Sequence, residues 1–172
     1  GNIGTSLAMS LEDTLHVKVI EIDKKVVGQL ANSLQKAIIL HGDAVDSSLL
    51  THENTMNTDV FCAVTNSDEI NMVSCMLARS LGAKKTIAIV NNDYYYDVIQ
   101  SHIDVIISPQ SSTISSLLSH IRRGDVAQVH SLKFGDAEVM EVIAHGSKAN
   151  SFTIGKTIDS LELPQGSYLG AI

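Results

Sequence analysis

Apolar positions along the chain switch between two periods. Ile3, Leu7, Leu11 and Leu15 recur every fourth residue, the stripe of an amphipathic helix, and then give way to HVKVIEID, a short β-branched run ending in acid. Val26, Val27, Leu30 and Leu34 restore the helical period, with Gly28 tolerated inside it at about 1 kcal/mol. Ala37 to Leu40 predicts a strand that runs into the turn His41-Gly42-Asp43-Ala44. DVFCAV, from Asp59, predicts another strand, followed by a helix carrying Ile70, Val73, Leu77 and Leu81 and stopped by Gly82. Asn66, three residues before Glu69, has the spacing of a capping box for that helix. TIAIV from Thr86 and VIIS from Val105 are strands, with a short helix between Tyr94 and Ser101. The alternation of helix and strand predicts a parallel sheet with right-handed crossovers.

Pro109 interrupts this pattern, and Ile114, Leu117, Leu118 and Ile121 mark a helix from Thr113 to Arg123. Beyond Gly124 the period changes to that of two strands, Val126 to Phe134 and Ala137 to Ala144, joined by Phe134-Gly135-Asp136. A domain boundary near Gly124 divides the chain into 1–124 and 125–172. Gly155, Pro164 and Gly166 punctuate a short helix and the start of a final strand. Gly155-Lys156-Thr157 matches the end of a P-loop, but Asn150 stands where that motif needs its first glycine.

Chemistry concentrates at the start. In the dinucleotide pattern G-x-G-x-x-G, Gly1 and Gly4 fit the second and third glycines, and the first would lie two residues upstream, so the strand before the motif is expected outside this sequence. Gly1 lets backbone approach a pyrophosphate, Gly4 lets the helix pack on the sheet, and the helix N-terminus attracts the phosphates. Glu21, seventeen residues past Gly4 at a strand's C-terminal end, suits the two ribose hydroxyls and repels a 2′-phosphate. The bland reading is a plain glycine turn and a solvated acid. Asp43 fits either a ligand contact to an adenine amino group or an ordinary turn; Thr65 and Asn66 fit either a contact to the far half of a nucleotide or a helix cap.

At 172 residues, 44% hydrophobic and 18% charged, the chain has the profile of a globular protein. A net charge of −7 and only paired basic residues argue against nucleic-acid binding. No apolar run reaches the eighteen or so residues of a membrane span, so no direct membrane insertion is expected. Cys62 and Cys75 are expected to be small buried hydrophobes, and the scattered histidines predict no metal site.

GNIGTSLA, VIEID, HGDAVDSSLL, AVTNSDEINMVSCMLARSLGAKKTIAIV and AHGSKANSFTIGKTIDSLELPQGSYLGAI together resemble the TrkA family of cytoplasmic NAD-binding regulatory subunits of bacterial Trk potassium uptake systems. The resemblance implies a Rossmann-type doubly wound α/β N-lobe of the RCK (or KTN) kind, its first strand missing, followed by a smaller, incomplete α/β C-lobe. It implies NAD or NADH as ligand, with ATP and ADP as candidate competitors, a membrane potassium channel subunit of the Trk type as partner, and dimers or tetramers on the inner face of the membrane. By position, Gly1, Asn2, Ile3 and Gly4 would meet pyrophosphate, Glu21 and Asp23 the adenosine ribose, Asp43 and Ala44 the adenine, and Thr65 and Asn66 the distal half. Asn91-Asn92 departs from the Arg that many relatives carry after the fifth strand, which puts a phosphate or interdomain contact in doubt.

The alternative is an NAD-dependent oxidoreductase on the same fold. That chemistry needs a positioned proton donor, yet the Tyr-x-x-x-Lys pair is absent after Tyr94, Tyr95 and Tyr96, and neither His102 nor His120 lies on a ligand-edge turn. A regulatory binding module, not an enzyme, is therefore the expectation.

Overall fold

Gly1 leads at once into a helix, α1 (Asn2–Leu11), whose first amides receive no side-chain cap. Here the chain is described by a computed structural model, which covers residues 1–121, 126–132, 137–143, 145–147, 150–151, 153–161 and 163–170. Helix α1 ends sooner than the apolar stripe predicts. Its C-cap Glu12 extends a carboxylate oxygen to the backbone N–H groups of Gln35, Lys36 and Ala37 at 2.9, 2.8 and 3.1 Å, which fixes the exit from the helix. Leu15 falls outside it and is 58% exposed.

The next elements are β1 (Lys18–Glu21), α2 (Lys24–Ser33), β2 (Ile38–His41) and α3 (Ser47–His52). Strands β1 and β2 pair in parallel, Lys18 opposite Ile38 and Glu21 opposite His41. Ala8, Leu30 and Leu34 form the buried core of this part, packed by Val17, Val19, Val26, Ala37 and Ile39.

A second parallel sheet has the order β3-β4-β5, built from β3 (Phe61–Ala63), β4 (Thr86–Ile89) and β5 (Val105–Ile107). Helix α4 (Asp68–Ser80) crosses from β3 to β4, and a 3-10 turn at Asp93–Tyr95 runs into α5 (Tyr96–Ile99) before β5. The core here is Ala63, Cys75, Ala88, Val90, Ile99 and Ile103. Gly82 ends α4 as predicted: at φ +103° it adopts the left-handed region, and Ala83 N–H returns to Ala78 O at 3.0 Å.

The single parallel sheet expected from the element order is thus divided. Among the described residues no ladder joins β1 to β3, and the break lies where the glycine motif expects the strand ahead of Gly1. Two further expectations are corrected. Pro109 opens a helix, α6 (Pro109–Ile121), because the first helical position needs no N–H, and Ser108 Oγ accepts from Ser111 N–H at 3.3 Å. Cys75 is buried, but Cys62 is exposed, because alternation along β3 turns Ala63 into the core beneath α4 and Cys62 to the other face.

By compactness the chain forms two units, 1–112 and 113–172. The boundary expected at Gly124 lies outside the described residues. The second unit contains an antiparallel pair, β6 (Val126–Leu132) and β7 (Ala137–Val142), with a register shift between Val126 and Gln128. The expected turn at Phe134-Gly135-Asp136, and the final strand expected at Ala171-Ile172, also lie outside the described residues. A 3-10 turn at Ile158–Ser160 follows. Among the described residues no helix is long and apolar enough to cross a membrane.

Candidate functional site

The first hydrogen bond of α1 is Thr5 N–H to Gly1 O at 3.0 Å; the N–H groups of the opening residues Asn2, Ile3 and Gly4 lack intrahelical acceptors, as at any helix start, and here the N-cap residue supplies no side-chain acceptor for them. These donors, with the positive end of the helix dipole, suit a phosphate oxyanion. A Cβ built on Gly1 would meet nothing within 4 Å, so the backbone there faces open space. A Cβ on Gly4 would come within 3.1 Å of Val64 Cγ2, so this glycine allows α1 to approach the end of β3 closely.

Glu21 ends β1 with its side chain only 18% exposed. Oε1 accepts Asp23 N–H at 3.0 Å, while Oε2 lies 3.7 Å from the Gly1 nitrogen. One oxygen is thus fixed by the backbone at the C-terminal end of β1, an arrangement that suits a ribose diol. Asp23 is the N-cap of α2, Oδ1 accepting from Lys25 N–H at 2.7 Å. His41, opposite Glu21 on β2, joins Nε2 to Ile22 O at 3.1 Å.

Asp43 closes a turn by accepting Val45 N–H at 3.1 Å through Oδ1, and Ala44 beside it is half-buried. The turn role is therefore real and uses one carboxylate oxygen. Val64, in contact range of Gly4, leads directly to Thr65 and Asn66, so these two lie at the same sheet edge as the glycine turn.

The capping box expected on Asn66 is shifted by one residue. Ser67 is the N-cap of α4: its Oγ accepts Ile70 N–H at 3.3 Å and donates to Glu69 Oε2 at 2.9 Å. Asn66 is left exposed at the edge, with no capping duty to explain it. Thr65 is more committed, since its N–H and hydroxyl both donate to Asn71 Oδ1, at 2.9 and 2.7 Å.

Sequence reasoning missed the groups that hold this edge. Asn71, fully buried, also donates Nδ2 to Thr65 O at 3.1 Å and Ile89 O at 2.9 Å, tying the end of β3 to the end of β4. Asp68 receives the N–H groups of Asn91 and Asn92 and the Asn91 side-chain amide at 2.9–3.0 Å. The available signal was an Asn on the same helix face as Ser74, Cys75 and Ala78, a stripe of small and polar residues.

The donor set fits a dinucleotide in its parts: free amides for phosphate, a backbone-fixed carboxylate for ribose, and amide and hydroxyl groups at the next strand end. Residues 1–109 match the TrkA-N domain model. Over the whole chain, the Trk system potassium uptake proteins TrkA of Halomonas elongata and Vibrio alginolyticus are each 46% identical, and a Methanosarcina mazei homologue is 32% identical. The chain spans about 38% of the length of each of these relatives.

Among solved structures, the GsuK channel bound to NAD aligns over 77% of this chain and 24% of its own, with TM-score 0.61 and 19% identity. An NAD(P)-binding domain of an exopolyphosphatase-related protein from Archaeoglobus fulgidus aligns over 70% of this chain and 91% of its own, with TM-score 0.63 and 14% identity. At those identities the likeness concerns the fold, which is the Rossmann-type α/β arrangement expected. With a domain match over most of its first unit and full-length likeness to curated relatives, the chain belongs to the TrkA-N domain family.

Proposed function

We propose that this chain is the NAD- or NADH-binding part of a regulatory subunit that gates a membrane potassium channel or transporter of the Trk type. The observation that carries the reading is the uncapped start of α1 together with the largely buried Glu21 carboxylate at the end of β1, one oxygen of which the Asp23 N–H fixes. On this reading Gly1, Asn2, Ile3 and Gly4 hold the pyrophosphate and Glu21 the adenosine ribose. Asp23 assists through the carboxylate oxygen that does not cap α2. Asp43 and Ala44 border the adenine, Thr65 shapes the edge of the distal half, and Asn66 contacts it. ATP and ADP compete for the same phosphate turn.

The nucleotide acts as a signal and is not consumed. Regulation then comes from unequal affinity for two conformations, where 1–3 kcal/mol of coupling, a typical size, changes gating about 5- to 150-fold. The whole protein works at the cytoplasmic face of the membrane as a dimer or tetramer. The exposed apolar residues Ile114, Leu117 and Ile121 on α6 support a protein partner there. The lobes run to and from the neighbourhood of Gly124, as residues 1–124 and 125–172.

The test is calorimetry on the full-length protein, paired with potassium flux through the complex reconstituted with its membrane subunit. NAD or NADH should bind better than NADP or NADPH, because Glu21 repels a 2′-phosphate, and Glu21→Ala should weaken binding and blunt nucleotide-dependent flux. Flux indifferent to nucleotide, together with steady substrate-dependent cofactor oxidation, would replace this reading with an oxidoreductase.

A further inference from the structure

Backbone carbonyls past the end of a ladder lose their cross-strand partners, and β1 reaches that point at the residue that carries the candidate ribose contact. Pairing with β2 ends where Glu21 lies opposite His41. The chain then turns through Ile22 and Asp23 into α2, and three carbonyls in a row need donors. Glu21 O receives Gly42 N–H at 3.0 Å, Ile22 O receives His41 Nε2 at 3.1 Å, and Asp23 O receives Val27 N–H at 2.9 Å. The first and last donors are backbone groups, which need no particular side chain. The middle one is an imidazole. A carbonyl only accepts, so His41 carries a proton on Nε2 in this arrangement.

The Ile22 carbonyl belongs to the same short turn as the Glu21 carboxylate. Glu21 Oε1 closes that turn from within by accepting Asp23 N–H at 3.0 Å, and Asp23 Oδ1 accepts Lys25 N–H at 2.7 Å where α2 begins. Both of those side-chain bonds lie inside residues 21–25. His41 instead ties the turn to the neighbouring strand. Packing does not do this, because the Ile22 side chain is 65% exposed. His41 is exposed as well, so water serves the Ile22 carbonyl once the imidazole is removed, and the bond adds little to the stability of the fold. What water does not supply is a partner fixed to the adjacent strand.

We infer that His41 is a positioning residue for the nucleotide site: by holding the Ile22 carbonyl it keeps the turn at 21–23, and with it the Glu21 carboxylate, in the geometry that meets the ribose hydroxyls. The inference rests on the nucleotide-site reading given above and adds to it the group that presets the ribose contact. His41 acts through Glu21 and touches no ligand itself. Without its bond the turn samples other conformations and must be reordered on binding. The penalty is bounded by the worth of one neutral hydrogen bond, about a two- to tenfold loss of affinity.

The experiment is calorimetry on the full-length protein with ADP and 2′-deoxy-ADP, because the ratio of the two affinities reports the contact between the carboxylate and the 2′-hydroxyl. ADP should bind the parent more tightly. His41→Met, which keeps bulk but has no side-chain N–H, should lower that ratio by about two- to tenfold. His41→Gln, whose amide donates to the same carbonyl, should restore most of it. Placed on Glu21→Ala, His41→Met should change neither affinity further. Urea titration should find both His41 variants nearly as stable as the parent, which separates loss of position from loss of fold. In proton–nitrogen spectra of the imidazole at pH 8, Nε2 should carry the proton. A ratio unmoved by His41→Met, a loss that His41→Gln shares in full, an effect undiminished on Glu21→Ala, or a ring protonated on Nδ1 alone overturns the inference while leaving the nucleotide site standing. Absence of any Glu21-dependent nucleotide binding overturns both.

Discussion

Replacing Asn71 with alanine tests whether the sheet edge is held as described. Asn71 is fully buried and makes four hydrogen bonds, three with Thr65 and one with Ile89. Their loss is unequal. Thr65 is exposed, so water replaces much of what Asn71 supplies and each bond counts for about 0.5–1.5 kcal/mol at most. Ile89 is only 6% exposed, so its carbonyl is left without a partner, at about 1–3 kcal/mol. Together, and allowing for non-additivity, Asn71→Ala should destabilise the chain by roughly 2–5 kcal/mol. Urea denaturation followed by circular dichroism measures this, and amide hydrogen exchange at Thr65 reads the local effect, which should accelerate. Asn71→Asp should cost more than alanine at neutral pH, because a carboxylate would face the Ile89 carbonyl. Its folded-state pKa would be raised, so its stability should recover as pH falls. A loss below about 1 kcal/mol for Asn71→Ala, with Thr65 exchange unchanged, would refute the account.

Four smaller perturbations follow from the same geometry. Gly82→Ala should destabilise by about 1–3 kcal/mol in urea titration, since φ is +103° and a Cβ would lie 3.3 Å from the Met56 backbone; exposed Gly28 inside α2 has open space, and Gly28→Ala should stabilise by about 0.5–1 kcal/mol. The Asp104 carboxyl is held below its usual range by the Thr86 N–H, the Thr86 hydroxyl and Arg79, so its contribution is present above the ordinary aspartate range and lost as pH falls through the lowered value. The stability gap between the parent and Asp104→Asn should therefore narrow below about pH 4 in acid titrations; a gap independent of pH would contradict it. With a thiol reagent at pH 8, exposed Cys62 should react in the native chain while Cys75, whose thiol burial pushes up to about 12, should wait for unfolding.

The order of strands and helices was legible because each is encoded locally, by period and by punctuation such as Gly82. Which helix face turns inward was not. In α4 the large apolar residues Ile70, Val73, Leu77 and Leu81 point to one face, yet the fully buried side chains are Asn71, Ser74, Cys75 and Ala78, and Val73 is 51% exposed. Small side chains let the helix approach β3 and β4 closely, so contact follows size where a count of hydrophobicity follows bulk. Helix α1 repeats this: Ala8 is its buried residue, while Ile3 is 51% exposed.

At the site, the glycine turn and Glu21 could be read because a motif fixes their spacing. The identity of the cap could not, since Asn66 and Ser67 are both good cap formers, and the Thr65–Asn71 bonds that orient this turn depend on the fold. The Asp68–Asn91 contact joins the first residue of α4 to the segment after β4, which come together only in the fold. No local pattern signals it.

The strand ends that carry the candidate site belong to different ladders, which gives a bound molecule a mechanical role. Glu21 ends β1, and Thr65-Asn66 follow β3, with a different core cluster behind each. A ligand gripping both would act as a tie bar between them. Opening at either end would have to release the tie, so both would gain the same ligand-linked protection, RT ln(1 + [L]/Kd). Occupancy would then be felt as slower opening in both cores, far from any atom the ligand touches.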